Sequence, residues 1–412
     1  MSKIKVRYFG PIQKGCLEND GWIEISKTTI FIGNQGSGKS TIAKLISTFT
    51  WIEKALVRGD YNQKWFKQKS KFKNQFLSYH RLEKYFSSDG LLDNTEIEYI
   101  GDAHHIKYKK GELSISETSN GNYPLPQIMY VPAERNFIGY VRSPKELKLS
   151  SASLKEFLTE FDNAKREMKG AVSLPINDVD IEYDKLNDIL NIKGKEYKVR
   201  LTDASSGFQS IVPLYLVSSY LSDSVRKHSE SKETMSTEEM GRFKKGVNEI
   251  WSNDNLTDEQ KRLALSELSA KFNKTSFINI VEEPEQNLFP TSQWQLLKSL
   301  LEFNNLNTGN KLIMTTHSPY IINYLSIAIQ AGYLKNRINS NDSLLKKLDT
   351  IVPLKSTIDP KDVSVYQLDE KNGTISKLRS YEGIPSDQNF LNESLAEGNN
   401  LFDSLLEIEQ EL

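Results

Sequence analysis

The residues from 33 to 40 read Gly33-Asn34-Gln35-Gly36-Ser37-Gly38-Lys39-Ser40, followed by Thr41. This matches the phosphate-loop spacing G-x-x-x-x-G-K-[ST] at every fixed position. Glycines let backbone N–H groups turn inward around phosphate oxygens, and the N-terminus of a following helix adds partial positive charge. Lys39 has the length to reach β and γ phosphates, and the Ser40 hydroxyl suits Mg²⁺. The plainer alternative is a glycine-rich turn with a chance lysine. The flanks argue against it: residues 28–32 are β-branched and apolar, as a strand would be, and residues 41–50 carry apolar side chains at helical spacing.

Three further groups could work beside a bound triphosphate. Residues 277–281, Phe-Ile-Asn-Ile-Val, read as a buried strand that ends in Glu282-Glu283-Pro284-Glu285. Carboxylates at the carboxyl end of a core strand meet the metal and the attacking water in phosphate-loop enzymes. Glu282 is expected to hold or orient the metal, and Glu283 to polarise the water. Residues 311–316 form another short strand pattern ending at His317, within reach of a γ-phosphate by that order. Ser205-Ser206-Gly207 precedes a long apolar helix pattern, so its free N–H groups suit an anion; ordinary N-capping is the bland reading.

The elements that must position these groups read as follows. Residues 3–9 and 22–25 are strand-like and lie ahead of the phosphate-loop strand, which predicts an antiparallel lobe before the nucleotide core. Residues 95–100, 105–109 and 112–117 read as a β-meander, with His104 and His105 on opposite faces. Residues 127–132 form a strand that ends at Ala133-Glu134-Arg135-Asn136. Residues 154–169 are helical, and 179–202 hold strand pieces. Ahead of the meander, residues 51–86 carry nine basic residues against three acidic ones, interleaved with aromatics. A solvated lysine face over an aromatic core is the plainer reading, and a nucleic-acid patch the sharper one. Residues 221–273 read as a charged helical insertion. From Ser380 onward there is no Lys or Arg, and an amphipathic terminal helix is expected to dock on its own core in preference to a basic partner.

With 412 residues, 38% hydrophobic and 26% charged, the chain suits a polar-surfaced globular protein. A net charge of −1 excludes a globally basic nucleic-acid binder. Cys16 is the single cysteine, so a disulfide within the chain and a cysteine-based zinc site are excluded. No run is apolar enough for a membrane span, and the expected compartment is the cytoplasm, with no membrane partner.

Phosphate loop, Ser-Ser-Gly turn, carboxylate strand and histidine strand, in that order, resemble the ABC-type ATPase head, and in particular the soluble branch shared with SMC-like and OLD-family proteins. Ser205-Ser206-Gly207-Phe208-Gln209 is similar to the ABC signature, although it lacks the second glycine. The segment Val281-Glu282-Glu283-Pro284-Glu285 is similar to the Walker B strand, with Glu282 where the wider family has Asp. A D-loop follows at Glu285-Gln286-Asn287-Leu288. Thr315-Thr316-His317-Ser318-Pro319 is similar to the switch-histidine segment, and Val131-Pro132-Ala133-Glu134-Arg135 recurs in this branch. No glutamine is assigned to the Q-loop.

The resemblance implies an α/β fold of ABC-head type, a mixed sheet with an antiparallel β lobe and helical insertions. The core is expected at 1–50, 95–222 and 274–380. A basic insertion spans 51–94, a charged one 223–273, and an acidic tail 381–412. ATP and Mg²⁺ are the implied cofactors. Two heads would pair head-to-tail, with higher oligomers built from such pairs. Ser206 and Gly207 of one copy would close over ATP held by Lys39 of the other; Glu283 would act as base or water-positioner and His317 would meet the γ-phosphate. No Toprim nuclease pattern follows His317, so the chain resembles stand-alone ATPases such as the sensor components of PARIS- and Septu-type anti-phage systems. Those imply a separate Toprim- or HNH-type effector. A DNA-repair or chromosome-associated ATPase acting through residues 51–86 is the second reading, and a nucleotide-gated oligomer without turnover the third.

Overall fold

The computed structural model describes residues 2–58, 60–61, 63–68, 71–86, 88–89, 92–118, 123–141, 144–149, 151–230, 237–253, 255–257, 260–261, 264–265, 268, 275–338 and 341–410. Lys69 of the basic stretch, most of 258–274, and Glu411 and Leu412 of the acidic tail lie outside the described residues.

A seven-stranded sheet carries the phosphate loop. Its strand order is Pro126–Val131, Ser276–Glu282, Lys311–Thr316, Thr28–Gly33, Val363–Asp369, Thr374–Lys377 and Gly15–Cys16. The first five strands run parallel. Thr374–Lys377 turns back antiparallel, and Gly15–Cys16, inside what reads as a loop in the sequence, lies parallel to it. Parallel strands need crossovers, and their central members are apolar because both faces are covered. Thr28–Gly33 and Ser276–Glu282 are buried throughout. Alternate residues feed two cores. Ile30 and Ile32 pack with Phe157, Leu214 and Leu296, whereas Phe31 packs with Ile42, Phe49 and Tyr99. Crossover helices Pro290–Asn305 and Pro319–Arg337 each start on a proline, whose missing N–H and fixed φ suit the first helical turn.

The antiparallel lobe expected ahead of the nucleotide core is present. Ile23–Glu24, Lys3–Arg7, Glu96–Ile100, His104–Lys109 and Glu112–Glu117 form it in that order. Alternating burial in Lys3–Arg7 and Glu96–Ile100 matches a sheet with one wet face. His104 is buried, while His105 Nε2 sits 2.7 Å from Glu98 Oε1 on the other face. A third, four-stranded sheet runs Val172–Ser173, Asp180–Asp184, Ile189–Lys193, Lys198–Arg200.

The helix leaving the phosphate loop does not stop at Thr50; it continues to Arg58, because Trp51 to Arg58 contains no breaker. The basic stretch therefore begins as the far end of that helix. Its aromatic rings face inward: Tyr61, Phe66, Phe72 and Phe76 are buried. Tyr61 and Trp65 stack at 3.9 Å, and Trp251 of the Thr237–Trp251 helix meets Tyr61 at 4.7 Å. These rings form core and are not presented as a stacking platform. Lys64, Lys67, Lys73, Arg81 and Lys84 remain exposed around them. Phe49, fully buried against Phe72 and Tyr99, joins this cluster to the phosphate-loop helix. Phe49→Ala is expected to destabilise the fold by about 3–5 kcal/mol, read as a lower denaturant midpoint at unchanged slope.

The terminal helix departs from expectation. Phe390–Gln410 is helical, but none of its residues is buried. Only its first turn is tied down: the Phe390 N–H donates to Gln367 Oε1 at 2.8 Å, and Leu391 packs on the core. Leu395, Leu401, Phe402, Leu405 and Ile408 are all more than half exposed. An amphipathic pattern records that one face is apolar; it does not say which surface covers that face.

Candidate functional site

The groups singled out in the sequence meet at the carboxyl ends of the parallel strands, where open α/β sheets bind ligands. Gly33 ends its strand with φ +146°, and a Cβ there would lie 2.4 Å from the Leu368 carbonyl oxygen. Gly38 has φ +101° and faces the Ile12 side chain. Both positions admit only glycine without strain. Asn34, Gln35 and Gly36 form the exposed crest, and Ser37, Gly38, Lys39 and Thr41 are buried. Asn34 holds the crest at both ends of its side chain: Nδ2 donates to Glu370 Oε1 at 3.0 Å, and Oδ1 accepts from the Gln35 N–H at 2.8 Å. Ser40 lies partly exposed in the first turn of the Lys39–Arg58 helix.

The Lys39 ammonium is folded onto the loop, donating to Gly33 O at 2.9 Å and Asn34 O at 2.8 Å. Lysine has three N–H donors, so one is left for a phosphate oxygen. Burial pulls its pKa down to about 8, against the opposing fields of Glu283, Glu285, Glu370 and Glu282.

Glu282 is the last residue of its strand and is buried. Its Oε2 accepts from the Ala133 N–H at 3.1 Å, while Lys44 Nζ stands 4.0 Å from Oε1. Oε1 is buried and accepts no hydrogen bond. A buried carboxylate oxygen with no hydrogen bond and the Lys44 ammonium as far as 4.0 Å away, together with the Ser40 hydroxyl as a second ligand, fits a hard cation that keeps most of its shell as water and phosphate. Glu283, the next residue, adopts φ +45°, a region that side-chain-bearing residues seldom occupy. Its N–H donates to Thr315 O at 2.9 Å, and its Oε1 sits 3.1 Å from His317 Nε2. The His317 hydrogen bond holds the Glu283 carboxyl below its ordinary range. Both side chains are about one-third exposed, open to the crevice.

Glu285 has a place the sequence does not reveal. Read there as the start of a D-loop, its buried carboxylate accepts from Thr316 Oγ1 at 2.8 Å and from the His317 N–H at 2.7 Å. It anchors the histidine to the carboxylate strand, and burial raises its pKa. Arg135 also enters from the side: its guanidinium donates to the carbonyls of Glu282 and Glu283 at 2.7 and 2.6 Å. The motif containing Arg135 is visible in the sequence, but its acceptors are main-chain atoms that no sequence pattern marks.

Ser206 and Gly207 are set apart from this group. They open the Ser206–Glu230 helix, with Ser205 and Ser206 exposed and Gly207 packed near the Asn287 carbonyl oxygen. They begin a 25-residue helix, whose first-turn N–H groups have no acceptor within the helix.

A family model described as "AAA ATPase domain" matches residues 258–322, a span that includes Glu282, Glu283 and His317. No curated protein matches the chain. Among solved structures, the SMC head domain from Thermotoga maritima is 11% identical, covering 92% of this chain and 98% of that one, with a TM-score of 0.37. An Smc head domain from Pyrococcus furiosus, with an extended coiled coil and bound to the C-terminal domain of ScpA, is 11% identical, covering 98% and 100%, at 0.35. A dimeric, post-hydrolysis ATP-binding cassette bound to ADP and Pi is 11% identical, covering 92% and 100%, at 0.27. Among the described residues, no helix is long and apolar enough to cross a membrane.

Proposed function

We propose that this chain is an ATP-hydrolysing head of the ABC and SMC-like type, working as a nucleotide-controlled pair. The observation that carries the reading is the convergence of Lys39, Glu282, Glu283 and His317 at the ends of three adjacent parallel strands. The loop N–H groups from Gly33 to Thr41 would cradle the phosphates. Lys39 would place its free N–H on the β and γ oxygens. Glu282 and Ser40 would hold Mg²⁺, which supplies charge neutralisation between those phosphates. Glu283, kept ionised by His317, would orient a water for in-line attack and take up its proton, with ADP and phosphate as products. His317 would then face the γ-phosphate, its backbone N–H held by Glu285 and its ring by Glu283. The exposed Ser206–Gly207 turn would close over the nucleotide of a second copy, because the free N–H groups of a helix N-terminus suit an anion.

In this reading the opening and closing of the pair is the output. We infer a sensor or scaffold role in anti-phage defence, with a separate Toprim- or HNH-type effector as partner. The exposed, acidic and apolar Phe390–Gln410 helix supports a partner of some kind, since it leaves a broad apolar face uncovered. Phosphate release from Mg–ATP tests the enzymatic core. Turnover is expected, and ATP binding without any turnover would leave a nucleotide-gated oligomer instead. DNA that stimulates turnover with a steep salt dependence would move the role toward DNA maintenance.

Lys39 also sets a pH dependence. Phosphates raise the pKa of an ammonium that burial has lowered to about 8, so binding takes up a proton above that pH. ATP affinity should be flat with respect to this group below pH 8. Above it, affinity should fall by about tenfold per pH unit until the bound ammonium itself titrates. A titration of a fluorescent ATP analogue at several pH values checks the sign.

A further inference from the structure

Among the described residues Arg135 is the largest fully buried side chain, and its position has no role in the chemistry above. Its guanidinium bonds only main-chain carbonyls. Nη1 donates to Glu282 O at 2.7 Å and to Pro132 O at 3.3 Å, Nη2 to Glu283 O at 2.6 Å, and Nε to Ser210 O at 3.2 Å. Burial lowers its pKa to about 10 against the fields of Glu285, Glu283 and Glu282. A buried cation satisfied by carbonyls alone is a costly arrangement, and a core residue of similar size would serve packing better.

What this cation joins is specific. Ser210 lies one turn beyond Ser206 and Gly207 on the same helix, and its Oγ is 3.3 Å from Gln286 Oε1. Glu283 is held in its left-handed conformation from two sides, by its N–H to Thr315 O and by its carbonyl to Arg135. One planar fork therefore spans the helix that begins at Ser206 and the peptide that aims Glu283 at His317. No other described side chain donates to both the Glu283 carbonyl and that helix.

We propose that Arg135 is a positioning residue that couples closure at the Ser206–Gly207 turn to the setting of the Glu283 carboxylate. The inference rests on the nucleotide reading above. A shift of the helix moves the Ser210 carbonyl, the rigid fork follows, and the Glu283 peptide rotates with it. The carboxylate is thereby aligned when a second copy engages the turn and misaligned when it does not. Lysine cannot reproduce this, because an ammonium has no planar fork that reaches four carbonyls at fixed angles.

The test compares wild type with Arg135→Lys and Arg135→Gln. Turnover should fall by about a hundredfold in both, the scale expected when a reacting group is misplaced by about an ångström. The Kd for a fluorescent ATP analogue should stay within about threefold, so that the loss lies in kcat and not in KM. Amide exchange gives a readout independent of turnover. In wild type, ATP should slow exchange in residues 206–212 and 283–288 together, and in Arg135→Lys the two segments should respond separately. Turnover within about threefold of wild type, or joint protection that persists in the variant, overturns the proposal. If wild type binds ATP without hydrolysing it, the enzymatic reading fails while the exchange experiment still decides the coupling. Should both variants fail to fold, wild-type exchange decides: protection of one segment without the other overturns the proposal.

Discussion

Lys39→Ala is expected to lose ATP binding by a factor of about a hundred or more, and turnover with it. The ammonium is the one cation of the phosphate loop, and its stem is buried in the first turn of the Lys39–Arg58 helix. Hydrogen bonds to charged groups contribute about 1.5–3 kcal/mol, and the one N–H left to the ammonium meets a phosphate oxygen with both partners charged, near the roughly 3 kcal/mol that a hundredfold requires. The fold should survive, because the bonds removed are to the carbonyls of Gly33 and Asn34, which lie at the crevice. Titration of a fluorescent ATP analogue against wild type and variant reads the effect. Affinity within about threefold of wild type would remove Lys39 from the site and leave the loop as an ordinary strand–helix turn.

Glu283→Gln should separate binding from chemistry. The amide keeps the size of the carboxylate and the backbone bonds to Thr315 and Arg135, so the unusual φ is retained. It gives up the negative charge that orients water and receives its proton, a change that removes about 10²–10⁴ in rate where a general base is lost. ATP then persists in the crevice. With Mg–ATP the variant should run as a dimer on a sizing column, and with ADP as a monomer. Adding Lys39→Ala to it should abolish that dimer. Full turnover by Glu283→Gln would falsify its role and direct attention to His317 as the water-orienting group.

The parts of this site that were legible in the sequence are those whose function is written in local spacing. Gly33 to Ser40 announces itself because every element of a phosphate cradle is contiguous, and Glu282 and Glu283 follow an apolar run that could only be a buried strand. His317 likewise follows a short apolar strand pattern, residues 311–316. Sequence pattern is silent where a residue's partner lies far along the chain. Glu285 looks like a loop acid until Thr316 and the His317 N–H are placed against it. Arg135 sits in a recognisable motif, yet its acceptors are carbonyls on two other elements. Glu370, which steadies Asn34, lies at the end of a strand whose place beside Thr28–Gly33 no local pattern reveals. The aromatic residues between 61 and 76 show the converse. Interleaved with lysines they allowed two readings, and only their burial against Trp51 and Trp251 separates core from contact surface.

The strand order has a consequence for how the protein is made. Thr28 pairs on one side with Leu312 and on the other with Val363. The strand that feeds the phosphate loop is synthesised long before either of its neighbours. Parallel strands cannot zip from a hairpin, and closing loops of this length precedes any reward from the contacts they bring. Until then Thr28–Gly33 is an apolar strand with two open edges, the kind of segment that captures other chains. The Lys39–Arg58 helix and the strands Lys3–Arg7 and Ile23–Glu24 share a core with Phe31 and can shield that one face of it. A nascent chain should therefore gain nucleotide competence late and in a single step, once Val363–Asp369 has left the ribosome, and should depend on chaperones until that moment.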